Sequence, residues 1–392
     1  MENKNNEITT DVLSVGRILI CALKAQINGT EYEFPESTDF KKVYKLAEQH
    51  RVTSLVAPIV SKCGFVPDDV KSAFQKQVFR CVARYTAQEK EMHELSKLLS
   101  AEKIKHCFLK GIKVARFYDN PDARFMLDMD LYVDPSDFSK AENILEDRGY
   151  ELNNYEDEKD KGFIKKPFLN IELHKELKYD YDKGYDYYKG ALSRMRSDDD
   201  SYALNMTNED FYVYILSHTA HHFEGAGTGI KSIVDHYYLK KRLRPLCDES
   251  ILEKAFSDIG LSTFSKKMDE LADCWFADGQ CTADTQETAD YIILSGVFGN
   301  DTNYYLSGII KGDYSEKKSS YFLKRLFLPY KRMKDRYPIL KKMPFLLPLF
   351  WIVRIFSSIL KTSNITDEVK NISAVDESAK DKQVSFLEKH GL

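Results

Sequence analysis

Near residue 104 the apolar residues of this chain stop recurring at three- and four-residue steps and begin to alternate; near residue 200 the helical spacing returns. A chain that changes period twice has to place a small sheet between two helical regions, and that predicts an α+β fold. The expected divisions are an N-terminal helical region over 1–103, a small mixed-sheet core over 104–200, a C-terminal helical region over 201–360 and a polar tail over 361–392. The tail is poor in aromatic residues and is expected to be loosely held.

Within the first region, Phe40, Val43, Tyr44 and Ala47 share one helical face, with Ser37, Thr38 and Asp39 as candidate caps. Phe74, Val78, Cys81, Val82 and Tyr85 form a second such series, which Met92, Leu95, Leu98 and Leu99 resume after a polar interruption. In the core, Cys107, Phe108 and Leu109 read as a buried strand ending at Lys110-Gly111, followed by a helix up to Pro121. Residues 128–133 (DMDLYV) alternate as a strand does, and 135–148 read as a helix closed by Gly149. Residues 150–152 and 168–174 read as strands, and the charged stretch 156–166 between them as an exposed loop or insertion. Helices are expected over 208–223, from 230 to about 243, and across 251–310.

A formal charge of −4 gives no global signal for a nucleic-acid partner. Residues 313–342 differ locally: ten Lys or Arg stand against three Asp or Glu, interleaved with Tyr321, Phe322, Phe327, Tyr330 and Tyr337. Such a segment could contact a phosphate backbone or a membrane surface, or simply be a helix with a solvated basic face. The apolar run PFLLPLFWIVRI at 344–355 is too short for a span and is interrupted by Pro348 and Arg354. Seven cysteines without a CxxC pair predict reduced, mostly buried thiols, and the polar start MENKNNEITTDV lacks a signal-peptide layout; both predict a cytoplasmic protein.

The chemistry concentrates in Asp128-Met129-Asp130. Two acids separated by one residue on a strand face the same side, where they repel unless solvated, protonated or shared with a cation. Hard oxygen ligands select magnesium or manganese. In IELH, Glu172 alternates with Ile171 and Leu173 and offers a third carboxylate from a neighbouring strand. Lys110-Gly111, between a strand and a helix, and Arg124, four residues before Asp128, supply cations for a phosphate. Relief of repulsion further predicts that Asp130→Asn leaves the metal-free protein as stable or slightly more stable.

The segments LKGIKVARFYDNPDARFMLDMDLYV, IELHKEL and HTAHHFEGAGTGIKSIVD resemble the uncharacterised nucleotidyltransferases of the polymerase-β superfamily, the group often labelled nucleotidyltransferase family 5. The resemblance runs over roughly residues 35–360, taking in LAEQHRV upstream and FLPYKRMKDRYPIL downstream. It implies a nucleotidyltransferase core in which Asp128, Asp130 and Glu172 hold magnesium or manganese and carry the catalysis. It also implies nucleotide contacts from Lys110, Gly111, Arg124, His174, Thr228 and Lys231, with Gly227-Thr228-Gly229 as a turn lining the pocket. The superfamily's Gly-Ser after the first strand is Gly111-Ile112 here, so Lys110 is expected to compensate for an absent hydroxyl. The third acid, usually Asp, is Glu172.

The implied activity is transfer of a nucleoside monophosphate from a nucleoside triphosphate, by two-metal magnesium catalysis, to an acceptor that the sequence does not identify. Two other readings stand beside it. His218, His221 and His222 share a helix face, and with Asp235 they could serve a metal phosphohydrolase. The chain could also be a non-catalytic nucleotide-binding or regulatory module.

Overall fold

Asp39 accepts from the backbone N–H groups of Lys41 and Lys42 and so starts the helix that buries Phe40, Val43, Leu46 and Ala47, as the apolar spacing requires. The structure is a computed structural model of the 392-residue chain. It describes residues 2–156, 160–178, 183–189, 191–197, 201–296, 339–360 and 377–392, together with 327, 330, 333, 334 and 337. Two units can be separated: residues 1–223, 228–298 and 390–392 form the first, and residues 224–227 and 299–389 the second.

The first unit opens with four helices, α1 (Glu2–Asn28), α2 (Phe40–Gln49), α3 (Thr53–Lys62) and α4 (Asp68–Ala101). The polar interruption expected between Tyr85 and Met92 does not break α4, which runs unbroken for 34 residues and buries Phe74, Cys81, Met92, Leu95 and Leu99. Five strands follow among the described residues: β1 (His106–Phe108), β2 (Met129–Val133), β3 (Glu151–Glu156), β4 (Asp160–Lys165) and β5 (Leu169–His174). Helix α5 (Lys110–Ala115) lies between β1 and β2, and α6 (Phe138–Asp147) between β2 and β3. The sheet order is β1-β2-β5-β4-β3, with β2 and β5 parallel and the other neighbours antiparallel. This is the small mixed sheet of an α+β fold.

One face of the sheet is apolar. Met129, Leu131, Val133, Phe163, Ile171 and Leu173 pack with Met92, Leu95 and Leu99 of α4 and with Ala141 and Leu145 of α6. Alternation then puts Asp130, Glu172 and His174 on the opposite face.

The charged stretch expected to be a loop at 156–166 contains β4, which sits between β5 and β3. Its lysines disguised it. Phe163 is buried on the core side, while Lys161 on the same side bonds Glu142 of α6 and Lys165 lies near the Tyr150 ring. Long aliphatic stems let these lysines border an apolar layer while their ammonium groups stay paired or wet.

After the sheet come α7 (Tyr185–Tyr188), α8 (Asn208–Glu224), α9 (Ile230–Arg242), α10 (Glu249–Asp258), α11 (Ser262–Phe276) and α12 (Ala283–Ser295). The expectation of seven reduced thiols is corrected at the end of α11. The chain turns back there, so that Cys274 and Cys281, with Cα atoms 5.0 Å apart, form a disulfide. Cys81 and Cys107 are the buried free thiols, and Cys21 is exposed.

Three helices belong to the described part of the second unit: α13 (Ile339–Lys342), α14 (Leu347–Leu360) and α15 (Glu377–Lys389). No helix among the described residues is long and apolar enough to cross a membrane. Most of the basic segment 313–342 lies outside the described residues. In the polar tail, 377–389 are helical, while 361–376 lie outside the described residues. The chain end rejoins the first unit, where buried His390 bonds Thr288 Oγ1 at 2.9 Å and packs on the Phe223 ring.

Candidate active site

Asp130 and Glu172 are direct register partners on the parallel strands β2 and β5, so both carboxylates leave the sheet on the same face. His174 follows two residues after Glu172 and joins them. One ligand atom each from Asp130, Glu172 and His174 lie within 4.8 Å of one another, the only such metal-ligand group among the described residues. Asp128 precedes β2 and lines the same cavity, but it is not part of that group. The cavity measures about 330 Å³ and is also lined by Arg51, Lys110, Gly111, Arg124, Phe125, His218, His222, Thr228 and Lys231.

Asp130 is nearly inaccessible and heavily bonded. Lys110 Nζ donates to its Oδ1 at 2.7 Å, and His174 Nε2 lies 3.1 Å from the same oxygen. Burial alone would favour the neutral acid, yet Lys110 and His174 outweigh it and hold the carboxyl well below its usual range. His174 is itself clamped on both sides, with Nδ1 2.6 Å from Asp160 Oδ1. Burial works against a charged ring, but the bonds to Asp130 and Asp160 prevail and lift its pKa to about 9. The imidazolium therefore donates from both nitrogens.

Glu172 has the opposite fate. Its side chain is nearly half exposed; His174 Nε2 lies 3.7 Å away and Lys110 acts on it from further off, so neither cation holds it as closely as Asp130 is held. Desolvation, then the charges of Asp130 and Asp128, raise its pKa to about 7. Asp128 is likewise shifted upward, by burial and by Asp130. Asp130 is thus held ionised by its cations, whereas burial and neighbouring negative charge oppose ionisation of Asp128 and Glu172, a field that a bound cation relieves.

Arg124 does not offer the free guanidinium expected from the sequence. Nε and Nη2 donate to Asp235 at 2.6 and 2.8 Å, and Nη1 donates to the Gly111 carbonyl at 3.0 Å. Asp235 also accepts from Tyr118 at 2.6 Å and from Lys231 at 3.0 Å, which ties α9 to the β1–β2 connection. This occupies Asp235 and takes it away from the histidines. His218 and His222 line the cavity with their Nε2 atoms 3.2 Å apart, and burial and nearby positive charge hold both neutral. Among the described residues, the set His218, His221, His222 and Asp235 does not form a metal-ligand group. Thr228 is buried and bonds Ser232 Oγ at 2.7 Å.

Ile112 accounts for the absent serine. It is packed in the apolar core under the sheet, so a hydroxyl at that position would face Leu and Met side chains. Lys110, the first residue of α5, adopts a left-handed φ of 39°, a conformation that costs a non-glycine residue roughly 1–2 kcal/mol. That turn directs its ammonium at Asp130. Sequence reasoning assigned no role to Asp160, hidden in the supposed loop, or to Arg51 of the LAEQHRV segment, whose guanidinium lies 4.8 Å from the Phe125 ring centre. A larger cavity of about 700 Å³, bordered by Lys113, Phe117 and Phe211, has no carboxylate among the described residues of its lining.

Residues 36–277 match the sequence family described as uncharacterised nucleotidyltransferase, and the chain belongs to that family. The match covers the whole sheet and α8 to α11, and it stops before the FLPYKRMKDRYPIL segment that the resemblance had included. It makes the first unit the home of a transferase-type domain. No curated protein and no solved structure matches the chain.

Proposed function

We propose that the protein transfers a nucleoside monophosphate from a nucleoside triphosphate to an acceptor hydroxyl, with a divalent metal, magnesium or manganese, held by Asp128, Asp130 and Glu172. The observation that carries this reading is the cross-strand pair Asp130–Glu172 in a cavity that also receives Lys110 and Lys231. The residues fit such an ion: two of the three carboxylates, Asp130 and Glu172, bring ligand atoms within 4.8 Å of each other, Asp128 lines the same cavity, and the upward shifts at Asp128 and Glu172 mark negative charge without enough compensation. The bound metal would polarise the α-phosphate and steady the leaving pyrophosphate.

The protein's own groups divide the remaining work. Asp160 holds His174, and His174 fixes Asp130, so the central carboxylate is oriented before substrate arrives. Glu172, the half-exposed carboxylate of the set, is the group placed to assist removal of the acceptor's hydroxyl proton. Lys110 and Lys231 are the cations placed to meet phosphate oxygens. Burial and the neighbouring Arg124 lower the pKa of Lys231, which an anionic ligand would reverse. Arg124 acts indirectly, as the anchor that positions Gly111 and α9.

The test is incubation with nucleoside triphosphates labelled at the α-phosphate plus cell extract, followed by mass analysis of labelled products. Label transfer should disappear on removal of divalent ions and in Asp130→Asn, and selective chelation of transition metals should leave it intact. Activity that Asp130→Asn retains and that zinc alone restores would overturn the reading in favour of the histidine-based phosphohydrolase.

A further inference from the structure

We propose that a second cavity, of about 310 Å³ over β3, β4 and β5, is the acceptor pocket, and that it takes an unphosphorylated hydroxyl compound. This inference rests on the nucleotidyl-transfer reading above. In that reaction the acceptor oxygen bonds to the α-phosphorus while the bond from phosphorus to the bridging oxygen of pyrophosphate breaks. Glu172 receives the hydroxyl proton; nucleotidylated acceptor and pyrophosphate leave. Attack in line requires acceptor and pyrophosphate on opposite sides of the phosphorus. The wall carrying the carboxylates must therefore be common to two pockets, and it is: Leu127, Asp128 and Glu172 line both cavities.

Gly162 makes the room. It is the register partner of Glu172 on β4, and its backbone is not in the left-handed region, so no turn geometry demands glycine there. A Cβ at 162 would stand on the chemistry face, 3.5 Å from Asn153 Cβ, which is ordinary contact. Glycine inside a strand costs stability and commonly marks a place where a ligand comes close to the backbone. Here it leaves open floor beside the proton acceptor.

Charge selects the ligand. Lys161 is the one cation in the lining among the described residues, and its ammonium is engaged by Glu142. Asp160 is held by His174. The amides of Asn153 and Asn170, which suit hydroxyl groups, border the same floor. Among the described residues a phosphate entering this pocket would meet Asp128, Asp160 and Glu172 with Lys161 alone to offset them, whereas the neighbouring cavity presents Arg51, Lys110, Arg124 and Lys231.

The experiment uses the full chain with magnesium and an equimolar mixture of the four common nucleoside triphosphates, reading pyrophosphate release and product mass. The acceptor probes are inositol and glucosamine, each beside its monophosphate. Wild type should use at least one unphosphorylated probe and disfavour its monophosphate by on the order of a hundredfold in kcat/KM. Gly162→Val, which suits a strand, should abolish acceptor-dependent release while its calorimetric Kd for a non-hydrolysable magnesium–nucleotide stays at the wild-type value. Asn153→Lys, at an exposed position, should shift preference toward the monophosphates. Equal or better use of the phosphorylated probes, use of neither unphosphorylated probe, or undiminished release by Gly162→Val would each overturn the proposal. Absence of nucleotide binding in wild type would overturn the nucleotide reading, and this inference with it.

Discussion

Asp235 and Asp130 are both buried carboxylates that accept from a lysine, yet they belong to clusters of different character. Around Asp235, one carboxylate meets Arg124, Lys231 and the Tyr118 hydroxyl, so that attraction is matched from several sides. Around Asp130, Lys110 and His174 satisfy one acid while Asp128 and Glu172 add negative charge nearby. The first cluster ties a helix to a loop. The second is completed in one part and left electrostatically strained in the other, the pattern expected where a ligand supplies the missing charge. The contrast separates scaffold from chemistry more sharply than burial does, since both carboxylates are nearly inaccessible.

Removing the scaffold carboxylate should have the largest effect. Asp235→Ala strands Arg124 and Lys231 in the interior and should cost about 3–5 kcal/mol in chemical denaturation. A loss under about 1 kcal/mol would show that the two clusters do not differ as described.

Asp130→Asn comes next. Sequence reasoning, which saw only repulsion between acids, had this variant stable or slightly stabilised; the Lys110 and His174 contacts reverse the expectation. It should lose transfer and about 1–3 kcal/mol, because Lys110 then lacks its charged partner. An unchanged melting temperature in metal-free buffer would restore the repulsion argument.

Lys110→Ala tests whether a residue can serve both roles, partner of Asp130 at rest and phosphate ligand when nucleotide is bound. Magnesium–nucleotide affinity should fall roughly ten- to hundredfold by calorimetry, and Lys110→Arg should recover part of it. Equal affinity for wild type and Lys110→Ala would leave Lys231 as the phosphate ligand.

Glu172→Gln gives the smallest effect and the opposite sign. The folded protein holds the Glu172 proton to about pH 7, whereas an unfolded chain releases it near pH ~4.3. Between those values the folded state binds more protons, so this group makes metal-free stability fall as pH rises. The variant should therefore be more stable than wild type at pH 8, by about 1 kcal/mol or less because the carboxylate is partly solvated, and equal to it below pH ~4. His174 adds a second window: its raised pKa contributes stability below pH ~6.5 that is lost as pH climbs through about 9. Melting curves against pH for both proteins separate the two windows.

The sequence alone determined the α+β class, the register-sensitive pattern DMDLYV and IELH, and the family, because alternation and local motif spacing are one-dimensional properties. A strand with Asp130 at an alternating position and another with Glu172 must point those acids away from their apolar neighbours, whatever surrounds them. Only the tertiary structure decided which charges meet. It turned Arg124 toward Asp235, 111 residues away in sequence, and engaged that carboxylate with Tyr118 and Lys231 as well. It also revealed 160–165 as a strand, which brought Asp160 to His174 and set Gly162 opposite Glu172. Such pairings depend on strand order and on contacts between distant segments. The energies that fix them, desolvation and Coulomb attraction at a few ångströms, have no signature in local composition.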